Sequence, residues 1–145
     1  MKAFPILSCF FLLSVSLPAE KVTIQKIGGK ATLLVEGEPF QVHGVGGDGD
    51  LGKLKASGGN SVRTWGIDKN TQAILDDAHT KGIKVALGFW LGHERHGFSY
   101  NDWDSNVNQA ESLFAAVKKY KDHPALLLWG LGNEMEGFEK SSNPA

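Results

Sequence analysis

Ala125-Leu126-Leu127-Leu128-Trp129-Gly130-Leu131-Gly132-Asn133-Glu134 is the stretch on which the fold turns. A run of apolar residues with no polar alternation, stopped upstream by Pro124, reads as a strand buried on both faces, the signature of a parallel sheet covered by helices. It ends in Gly132 and then delivers an amide and a carboxylate side by side. In a parallel sheet, functional groups gather at the carboxyl ends of the strands.

Working back from that strand, residues 105–121 read as the longest helix. Val107, Ala110, Leu113, Phe114 and Val117 share one face, acids lie near its start, and Lys118, Lys119 and Lys121 lie at its end, as the helix dipole favours. Residues 83–90 form a preceding strand, with a polar loop over 92–104. Residues 71–81 carry Ile74, Leu75 and Ala78 at helical spacing and stop at Gly82, a C′ glycine. Residues 61–65 predict another strand, 51–56 a short helix closed by Gly58-Gly59, and 40–45 the first strand of the series. Upstream, Val22-Thr23-Ile24-Gln25, Gly28-Gly29 and the run 31–35 predict a hairpin, followed by a turn at Glu36-Gly37-Glu38-Pro39.

Strand and helix thus alternate three times before a fourth strand. This predicts an α/β chain: either a small open doubly wound sheet or the first half, about strands 1–4, of a (β/α)8 TIM barrel preceded by a short β-hairpin. A complete barrel needs about 250 residues, and the chain has 145.

The first residues read as an address. Lys2 precedes the apolar stretch 4–17, too short to span a bilayer, with a small-residue exit at Ser14-Val15-Ser16 or Leu17-Pro18-Ala19. The expectation is a signal peptide over 1–19, a hairpin lead-in over 20–39, the α/β segment over 40–145, and a secreted or periplasmic protein with no membrane attachment after cleavage. The single cysteine, Cys9, lies within the signal, so neither disulfides nor thiol chemistry is expected. With 15 Lys plus Arg against 16 Asp plus Glu, nothing suggests a nucleic-acid partner.

Three motifs compete for function. Gly44-Val45-Gly46-Gly47-Asp48-Gly49 satisfies G-x-G-x-x-G after a strand, and Asp68 lies near where a ribose-binding acid would sit. Asp48 and Asp50, however, set negative charge where a pyrophosphate must bind. Asp48-Gly49-Asp50 is not an EF-hand either, because Gly59 stands where the loop needs Glu. His93-Glu94-Arg95-His96 offers two imidazoles but no completing ligands, so a local Glu94–Arg95 ion pair is the simpler reading, and no metal or other cofactor is expected. Third, the strand ends collect Arg63, Trp65, Trp90, His93, Asn133 and Glu134. Aromatics stack on sugar faces, a carboxylic acid protonates a leaving oxygen, and an amide bonds a sugar hydroxyl. The plainer account of Asn133-Glu134 is the start of another helix, with Asn133 as its cap.

The run Trp129-Gly130-Leu131-Gly132-Asn133-Glu134, with Gly59-Asn60-Ser61-Val62-Arg63-Thr64, resembles the clan A glycoside hydrolases, retaining enzymes that include families two and five. Val35-Glu36-Gly37-Glu38-Pro39-Phe40 with Gly44-Val45-Gly46 is similar to the family-two lead into the first barrel strand. The resemblance spans roughly residues 35–136. It implies hydrolysis of O-glycosidic bonds in β-linked oligo- or polysaccharides, or transglycosylation. Glu134 would be acid/base, Asn133 would bind the hydroxyl beside the scissile bond, and Arg63 would contact the nucleophile. Trp65, Trp90 and His93 would line subsites. The clan places its nucleophile after strand seven, and neither Glu136 nor Glu94 carries a motif to replace it. The expectation is therefore a truncated half-domain, inactive alone and dependent on missing strands. The alternative is a non-catalytic carbohydrate-binding or degenerate protein.

Overall fold

The computed structural model describes residues 22–135. The signal peptide expected over 1–19, Glu136 and the tail 140–145 lie outside the described residues.

Two sheets are built from successive parts of the chain. The first is antiparallel, with β1 (Val22–Ile27), β2 (Lys30–Val35) and β3 (Glu38–Pro39) in that order. Gly28 and Gly29 (φ 58° and 84°) make one two-residue turn, and Glu36 and Gly37 (φ 53° and 88°) make the next. Paired left-handed residues are the hairpin turn whose twist matches that of the strands. Glu36 occupies this region with a Cβ, at a cost of roughly 1–2 kcal/mol. Beyond β3, the Phe40 N–H donates to the Leu33 carbonyl at 2.8 Å and continues the pairing with β2.

The second sheet is parallel, in the order β4 (Gly44–Gly46), β5 (Ser61–Arg63), β6 (Lys84–Phe89) and β7 (Leu126–Leu131). Three α-helices accompany it: α1 (Leu51–Ala56), α2 (Thr71–Thr80) and α3 (Trp103–Tyr120). This arrangement corrects the expected partial (β/α)8 barrel behind a short hairpin. The lead-in is a three-stranded antiparallel sheet. The four parallel strands have only three helices among the described residues, too few for a barrel portion of alternating β/α units. Periodicity in the sequence specifies parallel neighbours with helical crossovers, and an open sheet meets that requirement as well as a closed one.

Local chemistry explains where each helix begins and ends. The Asp50 carboxylate caps α1, accepting from the N–H groups of Gly52 (2.8 Å) and Lys53 (3.1 Å). Asp102 does the same for α3 through the Ser105 N–H at 3.1 Å. At the end of α2, Gly82 takes φ 62°, its N–H reaches the His79 carbonyl, and the Ile83 N–H reaches that of Ala78. These two bonds make a Schellman closure with Gly82 at C′, as its position in the sequence predicts.

The core lies where α2 and α3 meet the sheet. Leu75 and Ala78 of α2 and Tyr120 of α3 pack with Val62, Val85, Leu87, Ile83 and Ala125. On α3 the buried residues are Ala116 and Tyr120 while Phe114 is 68% exposed, so the inward face is rotated from the one the sequence suggested. Asn60 joins the lead-in to the parallel sheet. Its side chain accepts from the His43 N–H (2.8 Å) and donates to the Gln41 carbonyl (2.7 Å). Residues 40–43, expected as strand, are held by these bonds, and ladder pairing begins only at Gly44.

Asp76 and His123 tie α2 to the turn before β7. The Ala125 N–H donates to His123 Nδ1, so Nε2 carries the ring proton toward Asp76 Oδ1 at 3.0 Å. That bond, with a smaller one from Gln72, holds the Asp76 carboxyl below its ordinary 3.8. A depressed folded-state pKa contributes stability that is present above the unfolded value and lost as pH falls through the folded one. Denaturant midpoints measured across the acid range should therefore fall more steeply below about pH 4 in the wild type than in Asp76→Asn. Asn60→Ala should cost about 1–3 kcal/mol of unfolding free energy at neutral pH, since it strips backbone groups of their partners.

Candidate functional site

The carboxyl ends of β5, β6 and β7 are drawn together by parallel register. Gly46, Arg63, Ala86 and Leu128 stand in one row across the four strands. One turn further on, β5 and β6 approach at Gly88, whose N–H donates to Thr64 Oγ1 at 3.0 Å. A Cβ at Gly88 would lie 2.2 Å from the Thr64 carbonyl oxygen. Only glycine fits a backbone approach this close.

Arg63 leaves the end of β5 half-buried. Its guanidinium carbon sits 4.1 Å from the centroid of the Trp65 ring, and Nη2 donates to Asn133 Oδ1 at 3.1 Å. A guanidinium has only donors, so Asn133 must turn its oxygen to Arg63 and present its NH2 outward. The Trp65 ring lies against Gly46, where an added Cβ would come within 3.0 Å of it, and is 44% exposed. One arginine thereby orients both an amide and an exposed aromatic.

The turn after β7 sets the next residue. The Gly132 N–H donates to the Phe89 carbonyl at 2.9 Å, and Gly132 takes φ 71° with Met135 packed where its side chain would be. Glu134 follows at φ 49°, a left-handed conformation that costs energy in any residue with a Cβ. Its side chain is 72% exposed and pairs with Arg95, Nη2 to Oε2 at 3.2 Å. Asn133 and Glu134 do not open a helix among the described residues: this turn carries them instead.

Arg95 belongs to a 3-10 turn, Glu94–His96, after β6. The segment holding it is fastened on several sides. Gln109 of α3 accepts from the Gly92 N–H (2.6 Å), Tyr100 donates its hydroxyl to the Gly92 carbonyl (2.8 Å), and the Phe98 N–H donates to the His93 carbonyl. Within the segment His93 lies between two rings, Trp90 at 4.8 Å and His96 at 5.4 Å, both nearly parallel to it. His93 is 4% exposed and both of its ring nitrogens are buried without a hydrogen-bond partner. Trp90, 46% exposed, offers the outer face of this stack.

The structure thus brings Arg63, Trp65, Asn133 and Glu134 to one strand-end cluster. Trp90 and His93 lie on the adjoining segment, with His93 covered and Trp90 open. Arg95 reaches a carboxylate 39 positions away, that of Glu134. No local spacing signals that contact.

The competing motifs have their own geometry. At the glycine-rich turn the Asp50 carboxylate already occupies the first N–H groups of α1, where a pyrophosphate would have to bind. A cavity of about 380 Å³ beside it is lined by Asp48, Asp77, Val62 and Ile74 among others. The stacked rings of His93 and His96 face each other rather than converging their nitrogens, and no group of three metal-ligating side chains is found among the described residues. No described helix is long and apolar enough to cross a membrane.

Searches against protein-family models and against curated proteins returned no match to this chain.

The strand-end geometry rests on Gly88. Gly88→Ala should destabilise the protein by about 1–3 kcal/mol or more in denaturant unfolding, because backbone atoms rather than a movable side chain stand in the way. Gly130→Ala, on the facing strand where the nearest atom is 3.8 Å from an added Cβ, should be much milder.

Proposed function

We propose that this chain carries part of the active site of a retaining β-glycoside hydrolase, with Glu134 as its acid/base. The observation that supports the reading most directly is the Arg63–Asn133 hydrogen bond beside an exposed Glu134. It leaves an amide NH2 and a carboxylate on adjacent residues, presented together at the edge of a parallel sheet. Exposed Trp65 and Trp90 supply flat apolar faces of the kind that stack on sugar rings.

In this scheme Glu134, protonated, gives its proton to the glycosidic oxygen as a carboxylate nucleophile attacks the anomeric carbon and the C–O bond breaks. Glu134, now ionised, then takes a proton from the water that displaces the enzyme carboxylate and releases the sugar. Asn133 donates to the hydroxyl next to the reacting carbon, and Arg63 is the cation that keeps the nucleophile ionised. A retaining mechanism calls for the second carboxylate about 5 to 5.5 Å from the first. We assign that role to none of the described residues. Export to a secreted or periplasmic location, where polymeric carbohydrate is met, belongs to the same proposal and rests on residues 1–19.

A second reading, carbohydrate binding without turnover, draws on the same exposed tryptophans. Glu134→Gln separates the two. In the complete gene product, hydrolysis of natural β-glycosides should fall by about 10²–10⁴-fold with oligosaccharide affinity retained. Activity that stays within a few-fold of wild type removes Glu134 from the mechanism. Oligosaccharide binding with no turnover by the wild type favours the second reading.

A further inference from the structure

We propose that Arg95 is a positioning residue, holding the Glu134 carboxylate in a fixed place beside Asn133; its catalytic consequence rests on the reading of Glu134 as acid/base. An ion pair between two mobile surface side chains contributes little, because ordering both offsets the attraction. This pair differs on each side. The Arg95 side chain is 29% exposed and projects from a loop tied to α3 by the Gln109–Gly92 hydrogen bond and closed on itself by the Tyr100–Gly92 and Phe98–His93 hydrogen bonds. Glu134 extends from a backbone held left-handed between Gly132 and Met135. Much of the freedom that pairing would remove is already absent.

The result is two parallel clamps. Arg63, from the end of β5, fixes the amide of Asn133, and Arg95, from the segment after β6, fixes the carboxylate of Glu134. Neighbouring side chains in sequence are thus oriented from two different strands. A group that must deliver a proton to one oxygen and later remove one from water gains rate from being held in reach of both, and small misplacements are expensive. Arg95 bonds one carboxylate oxygen, Oε2, and leaves Oε1 for the reacting groups.

The test uses the full chain with Arg95→Met and Arg95→Lys. NMR relaxation of the Glu134 side chain reads its order directly and requires no activity. The Cγ order parameter should fall into the flexible range, below about 0.6, in Arg95→Met and remain near the wild-type value in Arg95→Lys. In the complete gene product, kcat on a 4-nitrophenyl β-glycoside should fall by about 10- to 100-fold in Arg95→Met, with KM little changed and most of the loss recovered in Arg95→Lys. An unchanged order parameter in a folded Arg95→Met overturns the proposal, as does wild-type kcat in that variant. Should Arg95→Met fail to fold, the unmodified protein answers. Raising salt to about 1 M screens exposed charges and should loosen the Glu134 side chain, and order insensitive to salt overturns the proposal. A wild type that turns over no glycoside but loses Glu134 order in Arg95→Met retains the clamp and sinks the glycosidase reading.

Discussion

At the carboxyl end of β6 the backbone of Gly88 approaches Thr64 so closely that a single added carbon would meet the carbonyl oxygen at 2.2 Å. Thr64 answers with its hydroxyl, accepting the Gly88 N–H, and with its own N–H, donated to Ala86. Everything at the strand ends depends on this seam. It fixes β5 against β6, and the ladder from Leu87 to Phe89 carries that register on to β7. Arg63 and Asn133, 70 positions apart, then come within hydrogen-bond distance.

The polar groups of the site are ordered by one another and by the backbone around them. Gly46 makes room for the Trp65 ring, that ring supports the Arg63 guanidinium, and Arg63 sets the amide of Asn133. On the other side, α3 steadies the segment that bears Arg95. The packing of a cationic group on an aromatic face and its donation to a neutral amide place a half-buried positive charge without a carboxylate among the described residues touching it. His93 is the exception to this satisfaction of polar groups. Its ring nitrogens are enclosed by the aromatic stack, and buried imidazole nitrogens usually have partners.

Much of the secondary structure was legible because it depends on neighbours in the chain. The continuous apolar run 125–131 marked β7, though Leu128 and Leu131 are exposed and the strand is not buried on both faces; the glycine at 82 marked the end of α2, and the paired left-handed turns followed from Gly28-Gly29 and Gly37. The first and last of these needed no knowledge of distant residues. Misreadings came where distant packing decides. Phe114 and Val107 share a helical face, yet α3 is turned so that Ala116 and Tyr120 meet the core. Of residues 40–43, Phe40 bonds β2 through its N–H, while Gln41 and His43 bond the Asn60 side chain, so none of them enters the parallel ladder. The barrel expectation failed for a related reason, since alternation constrains which strands are neighbours and leaves the curvature of the sheet undetermined.

By itself, the sequence determined that the later strands run parallel with helical crossovers, that α2 ends at Gly82, and that an adjacent amide and carboxylate are delivered at a strand end. These follow from hydrophobic periodicity and from backbone rules that act over a few residues. Only the tertiary structure decided which cation meets which group. Arg63 donates to Asn133, Arg95 reaches Glu134, and His93 is enclosed between two rings. Such pairings depend on strand register and on how a loop is fastened to a helix, and contacts between residues 39 and 70 positions apart leave no periodic trace along the chain.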